Sequence, residues 1–414
     1  MEKLRLISFY LPQFHPIPEN DAAWGAGYTE WTAVTRSRPL YPEHDQPRLP
    51  SELGFYDLRL PEVRTAQAEL AAAYGVSAFC YHYFWFSGRR VLERPLDDML
   101  ASRQPDFPFC LCWANENWTR RWDSSESEIL IAQQFRDGDD LAFIRSVLPY
   151  FADPRYVKVD GRPVLLVYRT DIIPDIAAVA AVWGAEARRA GHPGLYLVRC
   201  NTFVPYGLQQ DPAAIGFDAV VEYPPHAVSS RNLVSTTIPK GTPFTGHVLD
   251  YRDIVVNAAK LPKPAHTFLR TVFPSWDNSP RRGTGALVVR HSSPSLYRAW
   301  LREMIDFTLT HYRGDERLVF INAWNEWGEG CHLEPDATYG RAHLEATRDA
   351  RDIEAWRQRL LEGAGDAADV EALVRATAED RLRVVALQSS VTDLELENEH
   401  LRMVVAGGRK PGRT

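Results

Sequence analysis

The feature that most restricts how this chain can fold is a short apolar run that keeps returning. Each copy is followed by a polar or aromatic stretch and, in most cases, by an amphipathic segment. The runs are Arg5–Tyr10, Ala78–Tyr83, Phe109–Ala114, Pro163–Tyr168, Leu195–Arg199, Asp218–Glu222, Arg270–Pro274 and Arg317–Ala323. Each has the length and near-continuous apolar character of a parallel strand covered on both faces. Helical periodicity fills Leu60–Tyr74, Leu92–Ser102, Asp139–Tyr150, Ile176–Ala190 and the stretch near Ser295–Tyr312, and another helix begins near Ala342. Eight strands, nearly all separated by a helix, predict an α/β fold, a (β/α)8 TIM barrel with long strand-to-helix loops. An open doubly wound sheet is the alternative, but no glycine-rich phosphate turn follows any run.

Polar and aromatic clusters follow runs one, two, three, six, seven and eight, at the C-terminal ends where barrels of this kind carry chemistry. Tyr10 closes the first run, and the loop after it holds His15, Trp24, Glu30, Trp31, Arg36 and Arg38. That loop, Leu11–Pro50, has seven prolines and almost no helical periodicity. A long ordered loop in this position is functional or packs over the barrel mouth. His82 and Tyr83 end the second run. Trp113, Asn115, Glu116, Trp118, Arg120 and Arg121 follow the third, and Glu222 closes the sixth. Pro224–Pro264 reads as a rim or lid insertion. Trp276 and Asp277 follow the seventh run, with Arg281 and Arg282 just beyond.

The eighth cluster is chemically the most pointed. Trp324-Asn325-Glu326-Trp327-Gly328-Glu329-Gly330, with Glu334 shortly after, sets carboxylates between indole rings on a turn that its glycines permit. Apolar bulk raises the pKa of a nearby carboxyl, so one acid can hold its proton while its neighbour stays ionised, as glycosidic-bond cleavage requires. Glu326 and Glu329 are therefore the candidate catalytic residues. Candidate substrate-binding residues are Tyr10, His15, Trp31, His82, Tyr83, Trp113, Asn115, Glu116, Trp118, Arg121, Glu222, Trp276, Asp277, Trp324, Asn325, Trp327 and Glu334. The alternative is a solvated acidic loop or a structural Trp–Glu cluster.

A net charge of −7 argues against a nucleic-acid partner. No apolar run approaches the roughly twenty residues of a membrane span. The N-terminal residues read as a first strand and not as a signal peptide, so a cytoplasmic location is expected. Five irregularly spaced cysteines suit reduced thiols. Neither a metal site nor a cofactor is expected; Asp137-x-Asp139 is the one acidic pair of metal type, and helix capping is its other reading. Twelve Trp and seventeen Tyr exceed what core packing asks for and point to a carbohydrate, an oligo- or polysaccharide substrate, or to another planar-faced ligand.

The barrel is expected over 1–361, a linker helix over 362–379, a coiled-coil-like helix over 380–406 and a disordered tail over 407–414. Val384, Leu387, Val391, Leu394, Asn398, Leu401 and Val405 form a short heptad seam. It reads as a homodimer contact through 384–405 or as a docked amphipathic helix.

Four blocks occur in order: Phe9-Tyr10-Leu11-Pro12-Gln13-Phe14-His15, Trp113-Ala114-Asn115-Glu116-Asn117-Trp118, Trp276-Asp277-Asn278 and Trp324 to Gly330. Together they resemble the glycoside hydrolase family 99-like proteins, and more closely the WbsX-type branch, labelled glycosyltransferase and found with polysaccharide-assembly proteins. The resemblance runs from about residue 4 to residue 350. It implies a (β/α)8 barrel similar to retaining enzymes that cut α-mannosides within a chain. It also implies roles: Glu326 as the base that takes a proton from the sugar 2-hydroxyl, and Glu329 as the acid at the leaving oxygen. This chain departs from those hydrolases at Gly328, where they carry His. The departure implies a different pocket beside the acids.

Overall fold

The computed structural model describes residues 4–119, 128–202 and 211–363, with side chains through 352. Arg120, Arg121 and the heptad seam at 384–405 lie outside the described residues, as do most of 362–379 and all of 407–414.

The barrel strands are β1 (Arg5–Tyr10), β2 (Ala78–Phe86), β3 (Phe109–Trp113), β4 (Arg162–Val167), β5 (Tyr196–Asn201), β6 (Ala219–Glu222), β7 (Thr267–Val272) and β8 (Leu318–Ile321). Each pairs in parallel with its neighbours in sequence order. β1 closes the cylinder by pairing with β8, Arg5 opposite Leu318, and with β2, Ile7 opposite Ala78. The helices packed outside are α1 (Pro61–Ala73), α2 (Arg94–Ser102), α3 (Asp139–Phe151), α4 (Ile176–Arg189), α5 (Tyr251–Ala259), α6 (Pro294–His311) and α7 (Ala342–Gly363). Between β5 and β6 the described connection is a 3-10 turn, Pro212–Ile215.

Strand alternation decides which side chains reach the mouth. Phe9, His82 and Phe320 point inward, with Phe9 stacked on His82 and 5.5 Å from Phe320. Cys112 and Cys200 meet across the same interior with sulfurs 3.9 Å apart. The intervening residues point outward: Tyr10 packs on Phe79 and Tyr81, and Trp113 stacks on Phe143 of α3 at 4.0 Å. Trp85, Trp183, Trp300, Trp324 and Trp327 are fully buried, so much of the aromatic abundance builds the core.

Three segments differ from the sequence reading. β7 begins at Thr267, three residues before Arg270, because Ala219 to Val221 of β6 pair with Thr267 to Leu269. The proline-rich first loop contains two short helices, Pro18–Trp24 and Glu30–Arg36. The first starts on Pro18 and the second on a reciprocal Thr29/Thr32 capping box, devices that need no long periodicity. The 224–264 insertion holds α5, whose first turn is capped by Asp250 accepting from the Arg252 amide. It also supplies His247–Asp250 to a small sheet with Leu287–Arg290 and Trp276–Asp277.

Candidate active site

Past β8 the chain makes a tight hairpin, Asn325–Glu326 against Cys331–His332, with a 3-10 turn at Trp327–Glu329. Asn325 ties it to the loop after β1: its Oδ1 accepts from the Leu11 amide at 2.7 Å and its Nδ2 donates to the Leu11 carbonyl at 3.0 Å. Gly330 has a φ of 57°, and a Cβ there would stand 2.9 Å from the Asp277 backbone. Glycine is thus required at this position. The hairpin aims Glu326 and Glu329 into a cavity of about 500 Å³ at the C-terminal ends of the strands.

Arg281 joins the two acids. Its Nη2 lies 2.7 Å from Glu326 Oε2 and its Nη1 lies 2.8 Å from Glu329 Oε1. A third carboxylate completes the cluster, since Arg281 Nε donates to Glu30 Oε1 at 2.7 Å and Nη2 approaches the same oxygen at 2.5 Å. Burial pushes the Glu30 carboxyl up to about 7; Arg281 opposes this, and Glu326 and Glu329 add to it. Burial would lower the Arg281 guanidinium, but Glu30, Glu326 and Glu329 outweigh it and hold the group well above its ordinary value. Glu326 is the deeper acid, with its side chain 8% exposed and Oε1 3.9 Å from His82 Nε2, whereas Glu329 is 24% exposed.

Of the residues singled out in the sequence, His82, Glu116, Trp118, Trp276, Glu326 and Glu329 meet in this cavity. Glu116 accepts from Arg169 there at 2.7 Å. Arg281 and Arg282 line it as well, and the other described binding candidates lie elsewhere, each for a visible reason. Tyr10 and Tyr83 sit on the outward side of their strands, bonded to Gln67 and Ser146. Trp113 also faces outward. His15 is buried away from the cavity, and desolvation lowers its pKa to about 4. Trp31 donates to the Tyr56 carbonyl. Asn115 bridges to the Arg169 backbone through both ends of its amide. Glu222 pairs with Arg270 at 2.9 Å and lines a separate small cavity. Asp277 is fully buried between His44 and Gln46.

Trp324 and Trp327 have no face open to a ligand. Glu334 lies behind them, accepting from Trp327 Nε1, Tyr56 and Gln67, and burial raises its pKa to about 7. The aromatic walls that sequence reasoning did not assign are Trp24, Phe84, Tyr168 and Tyr223. Inward register would have flagged Phe84, two residues beyond His82. Glu30 carried no signal of its role.

Fold and site together define a (β/α)8 barrel with a cluster of carboxylates at the C-terminal ends of its strands. The chain belongs to the WbsX glycosyltransferase family, whose model matches residues 6–347. It is 46% and 45% identical over 345 residues to the uncharacterized protein WxcX from two strains of Xanthomonas campestris pv. campestris. These matches cover 83% of this chain and 49% of WxcX, so the chain spans about half the length of those curated relatives. Among solved structures, a GH99 endo-α-mannosidase from Bacteroides thetaiotaomicron shares the fold at TM-score 0.54 and 15% identity, over 85% of this chain and 98% of that one. A glycoside hydrolase-like protein does so at TM-score 0.53 and 14% identity, over 84% and 94%. No described helix is long and apolar enough to cross a membrane.

Proposed function

We propose that this enzyme cleaves or transfers a glycosyl unit of a cell-surface polysaccharide or its precursor, in the cytoplasm, with Glu326 and Glu329 as its working acids. The carrying observation is that both carboxylates reach one aromatic-walled cavity and are bound by the two arms of a single guanidinium. Trp118 and Trp276 supply walls of the kind a sugar ring packs against.

The deeper Glu326 fits the base. It takes the proton of the 2-hydroxyl as that oxygen attacks the anomeric carbon and the bond to the leaving oxygen breaks. The more exposed Glu329 fits the acid, giving its proton to the leaving oxygen. In the second half, water gives a proton to Glu329 and its oxygen bonds to the anomeric carbon, while the bond from that carbon to the 2-oxygen breaks and the 2-oxygen recovers its proton from Glu326. Substituting a sugar hydroxyl for that water turns cleavage into transfer.

A second reading is transfer from an activated donor. It is favoured by the family's description. The two readings separate when the full chain is incubated with α-mannan oligosaccharides alone, and then with sugar nucleotides, an acceptor glycan and Mg²⁺. New reducing ends without a donor support the first reading. Donor consumption that requires the acceptor supports the second, and neither result with any glycan tried contradicts both.

A further inference from the structure

Glu30 is the one member of the charge cluster with no place in the chemistry above. It begins the short Glu30–Arg36 helix in the first loop, and its side chain is fully buried. Its Oε1 takes both contacts from Arg281, while its Oε2 is buried without a hydrogen-bond partner among the described residues. An orphaned buried carboxylate oxygen favours a proton on it. Gly328, between the two acids, is what admits Glu30: a Cβ there would overlap Glu30 Oε1 and stand 2.7 Å from Arg281 Nε.

Among the described residues, three carboxylates therefore share the Arg281 guanidinium. With Arg281 charged and all three ionised, the cluster would carry a net charge of −2, which at these separations binds a proton readily. The charged groups acting on Glu30 are Arg281 from the Ser279–Arg282 turn and Glu326 and Glu329 from the hairpin after β8, with Tyr28 beside it on its own loop. His82 faces Glu326 from β2.

We propose that Glu30 is a positioning residue for the acid pair: it anchors Arg281 and, by its own charge, sets how far that guanidinium is committed to Glu326 and Glu329. When Glu30 is neutral, Arg281 is left to the pair and holds both acids as carboxylates. When Glu30 is ionised, it draws Arg281 away, and a proton can settle on the acid that must deliver one. The proposal deepens the acid-pair reading and rests on it.

The test needs no substrate. The full chain, carrying ¹³C at its glutamate side-chain carboxyls, is titrated by NMR as wild type and as Glu329→Gln. Glu30 and Glu334 both lie near 7. In Glu329→Gln one near-neutral midpoint is expected to fall by about one pH unit, because a like charge is lost and Arg281 is released toward Glu30. The midpoint of Glu334, raised by burial and bonded to Trp327, Gln67 and Tyr56, should stay fixed and serves as the internal control. Circular dichroism checks that the substitution leaves the fold intact, and Glu326→Gln repeats the measurement from the other acid. Two unmoved midpoints, two that move together, or no glutamate titrating near neutrality would overturn the proposal. Retained glycan turnover in Glu329→Gln would sink the acid-pair reading instead, so the two failures are distinguishable.

Discussion

Glu30 and Gly328 divide one space between them: the carboxylate lies where a side chain at 328 would begin. Gly328→Ala should therefore cost about 2 kcal/mol of stability, as overpacking of a filled site does. Glu30→Ala in the same chain should restore part of it. A double-mutant cycle read by chemical denaturation is expected to give a coupling energy of at least about 1 kcal/mol. Simple additivity of the two variants would mean that the space is not shared.

Packing tryptophans and binding tryptophans should separate cleanly. Trp324 is fully buried beneath the hairpin, so Trp324→Ala is expected to cost about 3–5 kcal/mol through the void it leaves. Trp118 is partly exposed at the cavity wall and meets Phe84 edge-on at 5.1 Å. Trp118→Ala should cost about 1 kcal/mol in stability while weakening the binding of whichever glycan is turned over, measured by calorimetry. Equal losses of stability in the two variants would contradict this division.

The buried carboxyl of Glu30 also makes stability depend on pH, with a definite sign. Its pKa rises on folding from 4.5 to about 7, so its contribution is complete below about 4.5 and is lost as pH rises through about 7. A shift of that size corresponds to on the order of 3 kcal/mol. Glu30→Gln cannot ionise, so its stability relative to wild type should improve by roughly that amount between pH 4.5 and 8. Taking the difference removes the opposing groups shared by both proteins, such as Asp336, held at about 2 with His332 beside it, and His343, pushed to about 3 by burial. A difference that does not change with pH would show that Glu30 is not buried as described.

The barrel was legible because each parallel strand, covered on both faces, must be apolar along its whole length. The one strand whose start was missed, β7, contains Arg270, a buried cation neutralised by Glu222 that looks like a boundary until its partner is known. Tyr10, Tyr83 and Trp113 lie outside the cavity for one physical reason. At a strand's end successive side chains alternate between barrel interior and helix layer, so in Tyr81-His82-Tyr83-Phe84 only His82 and Phe84 reach the cavity. The acid pair stood out because its members are three residues apart. Glu30 did not, because its partner Arg281 is 251 positions away and only the closed barrel brings them together.

The proposed chemistry belongs to Glu326 and Glu329. It is tested most directly by the turnover of Glu326→Gln and Glu329→Gln on a glycan the wild type consumes, with binding of that glycan measured in parallel. Turnover is expected to fall by at least about 10²-fold in each variant, with affinity changed only a few-fold. Wild-type turnover in either variant would contradict the account.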